Sequence, residues 1–179
     1  MIFIKTVNIM KRLFAKIYLT KEHFKMWLVQ LVKVPYYYVL FKKYPFLNPL
    51  QKLQTKGFHM CFYMYSLLDC MPEGWNKAFG LQMAKEIKQW LKKHNVTDYE
   101  VTDVKEKWGR LHWYDNGPTQ LYGDVIVKYE IMSADLCVRC GKKASHVSRG
   151  YMLPFCEDCM QKEKSTRNFI ELKKDDSKK

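Results

Sequence analysis

Four of the six cysteines lie in two closely spaced pairs, "CVRC" (137–140) and "CEDC" (156–159). Two residues between thiolates let one tight turn direct both sulfurs at a single tetrahedral metal ion, about 2.3 Å from each. The fifteen residues between the pairs are enough for a short hairpin that returns the second pair to the first. The pattern therefore predicts a zinc ribbon. Its predicted Zn²⁺ ligands are Cys137, Cys140, Cys156 and Cys159.

Four sulfur ligands would close the coordination sphere, so we expect a structural site that contributes on the order of 10 kcal/mol to folding. Two disulfides are an alternative that needs an oxidising compartment. Iron held by the same thiolates is another. His146 lies between the pairs, where it could compete as a ligand. Cys61 and Cys70 match no metal spacing, and we expect both to be small buried side chains.

The segment "VKEKWGRLHWYDNG" (104–117) combines aromatic and basic side chains. Leu111 and Trp113 alternate with polar neighbours, which favours a strand, and Gly109 suits a tight turn. We predict a hairpin with a type I turn that places Glu106 opposite Arg110. A helical stripe through the same segment remains an alternative.

This hairpin has the ingredients of a surface that binds nucleic acid or another partner. Cations would hold phosphates and rings would stack on bases. The alternative is that the tryptophans belong to the core and the charges only line its edge. The candidate partner-binding residues are Lys105, Lys107, Trp108, Arg110 and Trp113.

Catalysis is the weaker interpretation. The sequence contains no GxSxG, no HExxH and no glycine-rich phosphate loop. Three acids near the hairpin (Asp103, Glu106 and Asp115) could bind a metal together with His112, as in a metal-dependent nuclease. We expect no catalytic residues and no small-molecule substrate.

The charge of the chain is uneven. The net charge is +10 over residues 1–56, −2 over residues 57–136 and +5 over residues 137–179. Basic ends of this kind favour polyanions: nucleic acid, an anionic membrane face or an acidic protein surface.

The spacing of apolar residues before and after the hairpin predicts two helices. We therefore expect an α+β fold, a small helix–hairpin–helix domain followed by the ribbon. One helix covers residues 75–94, with Trp75 to Leu91 at i, i+4 spacing. A second runs from about Thr119 to Leu136, with Leu121, Val125, Tyr129 and Met132 on its buried face. The predicted divisions are a basic, aromatic-rich helical extension (1–56), the α+β domain (57–136), the ribbon (137–160) and a charged, partly disordered tail (161–179).

Residues 1–33 can be drawn as a basic amphipathic helix that Pro35 ends. Such a helix could contact a membrane, although packing on its own domain is the more common role. Lysines interrupt the apolar residues of the first segment, so we expect no signal peptide. The apolar window 26–41 is too short and too polar to span a bilayer. We expect a protein of the bacterial cytoplasm.

Taken together, "KKYP" (42–45), "EGW" (73–75), "VKEKWGRLHWY" (104–114) and the CxxCG…CxxC ribbon resemble a family of small bacteriophage and prophage proteins. Members of that family carry a KEKFGxLR-like motif ahead of a zinc ribbon. The resemblance covers roughly residues 41–160, and His112 stands where the family usually has arginine. It implies a phage-borne origin and a host-cell setting, without a reaction.

We therefore expect a phage-type accessory protein that acts by binding nucleic acid or an acidic host protein. An inhibitor of a host defence system, such as an anti-CRISPR protein, is the first alternative. A metal-dependent nuclease is the second.

Overall fold

A computed structural model describes residues 34–49 and 65–172 of the chain. Their fold is mixed α+β, as predicted. Helix α1 covers residues 34–43. Helix α2 is made of Glu73–Trp75, Asn76–Gly80 and Leu81–Lys93 in succession, helix α3 of Thr119–Leu121, Tyr122–Ile126 and Val127–Ala134, and helix α4 is Glu157–Glu163. Short 3₁₀ turns lie at Pro45–Leu47 and Leu67–Cys70.

The strands form two small antiparallel sheets. Strand β1 (Val101–Lys107) pairs with β2 (Arg110–Asp115) in a hairpin. Strand β3 (His146–Ser148) lies between β4 (Pro154–Phe155) and β5 (Phe169–Glu171). The hairpin predicted over 104–117 is confirmed, and the helical alternative is wrong.

Helix α2 buries the predicted stripe. Its apolar side chains recur every four residues, so they share one face of the helix. All five are buried: Trp75, Phe79, Met83, Ile87 and Leu91. The helix ends in Lys92 and Lys93, which complement the negative end of its dipole.

Helix α3 begins at Thr119 as predicted, but its buried face differs at one position. Met132 is 41% exposed, and Ser133 is buried in its place. The segment Tyr122–Ile126 is a π turn, which holds more residues per turn than an α-helix. Val125, Tyr129 and Ser133 are buried at i, i+4 spacing, so Ser133 instead of Met132 continues the buried face.

The turn of the β1–β2 hairpin also differs from the prediction. Lys107 pairs with Arg110, so only Trp108 and Gly109 form the turn, with φ values of 57° and 77°. Two positive φ values are those of a type I′ turn, whose twist matches the flanking strands. Glu106 therefore lies opposite Leu111 instead of Arg110.

Helix α1 belongs to the core. Tyr37, Leu40, Phe41 and Tyr44 follow helical spacing and are all buried. Pro35 is the second described residue of this helix, where the fixed φ of proline is compatible with helical backbone. The helix predicted for residues 1–33, the tail beyond residue 172 and Cys61 lie outside the described residues.

The cysteine-containing segment packs on the same core as the helices. Cys137, Val138, Phe155, Cys156 and Met160 are buried in one cluster with the residues of α1, α2, β1, β2 and α3. Over the described residues, every helix is too short or too polar to cross a bilayer.

Candidate metal centre and hairpin surface

The sulfur atoms of the two CxxC pairs converge. All four Sγ atoms lie within 4.8 Å of one another. The Sγ atoms of Cys140 and Cys156 are 3.5 Å apart. A tetrahedral ion with metal–sulfur bonds near 2.3 Å requires sulfur–sulfur distances of about 3.8 Å. The cluster of Cys137, Cys140, Cys156 and Cys159 can therefore hold a metal ion.

Two different local structures present the pairs. The first pair follows α3 in a turn closed by Gly141, whose backbone N–H donates to the Cys137 carbonyl at 2.9 Å. Gly141 has a φ of +78°, a conformation that favours glycine. In the second pair, Cys156 immediately precedes α4 and Cys159 lies within its first turn. A strand-to-helix junction and a tight turn thus face each other across the sulfurs.

Hydrogen bonds among the thiols shift the pKa values of Cys140 and Cys159 in opposite directions. Burial opposes ionisation of Cys140, but hydrogen bonds from the Lys142 backbone and from neighbouring thiols outweigh it and lower the pKa of Cys140. Burial, followed by hydrogen bonds to the other thiols, raises the pKa of Cys159. Four thiolates at this separation repel one another, so a bound cation is what would hold all of them ionised.

The start of helix α2 packs against the turn that carries the first cysteine pair. A Cβ atom at Gly74 would lie 2.2 Å from the Cys137 carbonyl oxygen and 2.6 Å from the Gly141 nitrogen. The Gly74 N–H donates to the Val138 carbonyl at 2.9 Å. The indole N–H of the fully buried Trp75 donates to the Leu136 carbonyl at 2.8 Å. This role of Gly74 and of the Trp75 indole could not be predicted from the sequence, because it depends on the packing of α2 against the first cysteine pair.

No other metal site forms among the residues that the structure describes: the four cysteines are the one group of three or more candidate ligands that converges. The acids near the hairpin have other partners. Asp103 pairs with Lys105, and Glu106 accepts the Gly109 N–H at 2.7 Å. Asp115 accepts the Tyr99 hydroxyl at 3.0 Å.

The structure also gives the environments of Cys70 and His146. Cys70 is exposed, so the prediction that it is buried is wrong. It lies at the end of a 3₁₀ turn on the surface. His146 is outside the sulfur cluster, with Nδ1 2.9 Å from the Ser145 hydroxyl and 3.6 Å from a Glu157 carboxylate oxygen.

The two tryptophans of the hairpin have opposite environments. Trp113 is 4% exposed, and its indole N–H donates to the Tyr99 hydroxyl at 2.9 Å. It packs in the core, so the expectation that Trp113 binds a partner is corrected: its ring has no free face. Trp108, at the tip of the turn, is 71% exposed.

The outer face of the hairpin carries the cations. Lys105 and Lys107 on β1 are exposed, as is Arg110 on β2. Lys105 is paired with Asp103 and lies 5.0 Å from the centre of the Tyr114 ring. Neither Lys107 nor Arg110 forms an ion pair with any residue in the described ranges. The structure thus brings Lys107, Trp108 and Arg110 together at one exposed end.

Comparison with known proteins finds no family model, no curated protein and no solved structure that matches this chain.

Proposed function

We propose that this chain is a phage-type zinc-ribbon accessory protein that acts in the bacterial cytoplasm by binding nucleic acid. In this proposal a helix–hairpin–helix domain precedes the ribbon, and Zn²⁺ in the four-cysteine cluster has a structural role. The motifs shared with the phage and prophage family support the setting. The binding surface is the exposed end of the β1–β2 hairpin.

The observation that carries the proposal is the composition of that end. Lys107 and Arg110 face each other across the strands, an arrangement of like charges that costs stability. Trp108 between them exposes a large ring to water. Neither feature stabilises the fold. A bound nucleic acid would neutralise the two charges with its phosphates and cover the ring with a stacked base.

Zinc is the ion that best fits the cluster. Tetrahedral all-sulfur sites select zinc or iron, and zinc is the commoner structural ion. Four thiolates leave no open coordination position for water or substrate, so the metal would stabilise the fold without taking part in a reaction. Its contribution would be to fix the segment 137–159 against α2.

The test is a pair of matched charge variants of the full chain. Lys107→Gln/Arg110→Gln removes two charges from the hairpin end. Lys92→Gln/Lys93→Gln removes the same charge from the end of α2. Affinity for DNA and RNA oligonucleotides is measured by fluorescence anisotropy at several salt concentrations. Residues 1–56 alone carry a net charge of +10, so the difference between the variants is more informative than total binding.

We expect the hairpin variant to bind more weakly and with a smaller salt dependence. Removing two phosphate contacts should reduce the slope of log K against log salt by about 1.4 on single strands. The α2 variant should keep the wild-type slope. Equal slopes for the two variants would refute the proposal. Absence of oligonucleotide binding together with recovery of a stoichiometric acidic host protein would instead support the anti-defence alternative.

A further inference from the structure

The tip of the β1–β2 hairpin contacts a second turn, the one between β3 and β4. A Cβ atom at Gly109 would lie 2.3 Å from the Met152 carbonyl oxygen. Only glycine allows the two backbones to approach so closely. We call Trp108–Gly109 and 150–152 the paired tips. One belongs to the hairpin and the other to the segment between the two CxxC pairs.

Each tip exposes an aromatic ring next to this contact. Trp108 is 71% exposed and Tyr151 is 73% exposed. They are the two most exposed large hydrophobic side chains of the described residues. Single exposed rings are ordinary, but these two lie on turns whose backbones touch at Gly109 and Met152. Exposed apolar side chains grouped in this way are typical of a binding site.

The backbone at both tips is strained. Trp108 and Met152 each have a φ of 57°, which residues other than glycine, asparagine and aspartate rarely adopt. A type I′ turn ordinarily begins with asparagine, and the loop after β3 already uses Gly150 at a φ of 88°. A bulky ring at position 108 is therefore retained against the preference of the turn, which suggests a use for the ring itself.

Exposed cations lie close in the chain to both rings. Lys107 and Arg110 flank Trp108, and Arg149 precedes the second tip. Arg149 makes no ion pair within the described part of the chain. It lines an open cavity of about 660 Å³ together with Lys164, Arg167 and one acid, Glu171. Arg167 is paired with Glu163 at 3.0 Å, so Arg149 and Lys164 are the cations of the cavity without an ion pair among the described residues. This charge suits a phosphate backbone that passes beside the rings.

We infer that the paired tips bind single-stranded nucleic acid, with Trp108 and Tyr151 each stacking on an unpaired base. The inference rests on the proposed function and names its substrate class. A duplex buries the faces of its bases within the stack, so exposed rings have nothing to stack on. Lys107, Arg110 and Arg149 would contact the phosphates between and beside the stacked bases.

The experiment compares one labelled oligonucleotide as a single strand and as a duplex, titrated with the zinc-loaded full chain. Trp108→Asn replaces the ring and creates the Asn-Gly sequence that a type I′ turn prefers. We expect single-strand binding to weaken about 5- to 150-fold while the Tm stays the same or rises. A role of Trp108 in folding alone would require the Tm to fall.

Tyr151 provides the second arm with a conservative control. Tyr151→Ala should weaken single-strand binding by a similar factor, and Tyr151→Phe, which keeps the ring, should retain the wild-type affinity. Duplex affinity should be little changed in all three variants.

The outcomes separate this inference from the proposed function. If both ring variants bind single strands as well as the wild type does, while the Lys107/Arg110 variant is weakened, the proposed function stands and the inference is overturned. If no nucleic acid binds at low salt, the proposed function fails and the inference with it. If the ring variants lose a protein partner and keep their oligonucleotide affinity, the surface is a protein-binding site and the inference is overturned.

Discussion

Gly74→Ala tests whether close packing of α2 stabilises the turn that carries the first cysteine pair. The added Cβ would lie 2.2 Å from the Cys137 oxygen, 2.6 Å from the Gly141 nitrogen and 2.8 Å from the Cys140 nitrogen. All three are backbone atoms of the metal-binding turn, so none can move away by a change of side-chain rotamer. To restore ordinary contact, α2 and the turn must separate by about 1 Å.

The expected cost follows from two opposing effects. Overpacking destabilises by about 1–3 kcal/mol, and contacts with backbone atoms, which cannot change rotamer, place this substitution in the upper part of that range, at about 2–3 kcal/mol. The greater helix propensity of alanine offsets up to about 1 kcal/mol. We therefore expect a net loss of about 1–2 kcal/mol, which lowers the Tm of a chain of this size by roughly 2–8 °C. The Gly74 hydrogen bond to Val138 should also lengthen.

The matched control is Gly123→Ala, in α3. No atom lies within 4 Å of the position that its Cβ would occupy. The same chemical change there should leave the Tm unchanged or raise it slightly. Thermal denaturation of the zinc-loaded proteins gives the stability, and zinc transfer to a chromogenic chelator gives the rate of metal release.

We expect Gly74→Ala to have a lower Tm than Gly123→Ala and to release zinc faster. A Gly74→Ala protein as stable as the wild type, with the same rate of zinc release, would refute this expectation. The first pair would then be held without support from α2.

The remaining predictions concern the metal and one buried hydroxyl. Cys140→Ser should lower the metal content from one zinc per chain and unfold the segment 137–159, measured by elemental analysis and proteolysis; full zinc retention would contradict the ligand assignment. Because burial raises the pKa of Cys159, that thiol keeps its proton at neutral pH, so zinc binding should release protons and zinc affinity should fall as the pH falls. Calorimetry in two buffers of different ionisation enthalpy measures the released protons. Equal heats of zinc binding in the two buffers would contradict the predicted proton release. Chelation of the metal should weaken single-strand binding, because Tyr151 lies in the segment between the two cysteine pairs. Unchanged affinity after chelation would show that the paired tips do not depend on the metal. Ser133→Ala removes the acceptor of the Leu111 N–H at 2.8 Å and should cost about 1–3 kcal/mol in denaturant unfolding, whereas the exposed Ser165→Ala should cost almost nothing.

Much of the fold could be predicted where a local pattern decides the outcome. The i, i+4 stripe of α2 and the alternation in β2 each bury one face, and the structure follows both. The spacing of the cysteines constrains four sulfurs to one ion, so the convergence of the cluster was also predictable.

The rest depends on contacts or backbone geometry that the pattern does not encode. Met132 and Ser133 both fit helical spacing from Tyr129, and the packing of α3 on β2, where the Leu111 N–H donates to the Ser133 hydroxyl, decides which of them is buried. Trp108 occupies a φ that tryptophan disfavours, so the two-residue turn could not be predicted from propensity. Alternation along β2 predicts that Trp113 is buried. It does not predict the burial of Trp108, because that residue lies in the turn and not on the strand. The role of Gly74 exists only once α2 and the metal-binding turn are packed together.

The most direct test of the binding surface is ultraviolet cross-linking of the zinc-loaded chain to a single-stranded oligothymidylate. Mass spectrometry then identifies the cross-linked residues. We expect cross-links at Trp108 and Tyr151, the exposed rings of the paired tips. Cross-links confined to other parts of the chain, with none at either ring, would contradict this expectation.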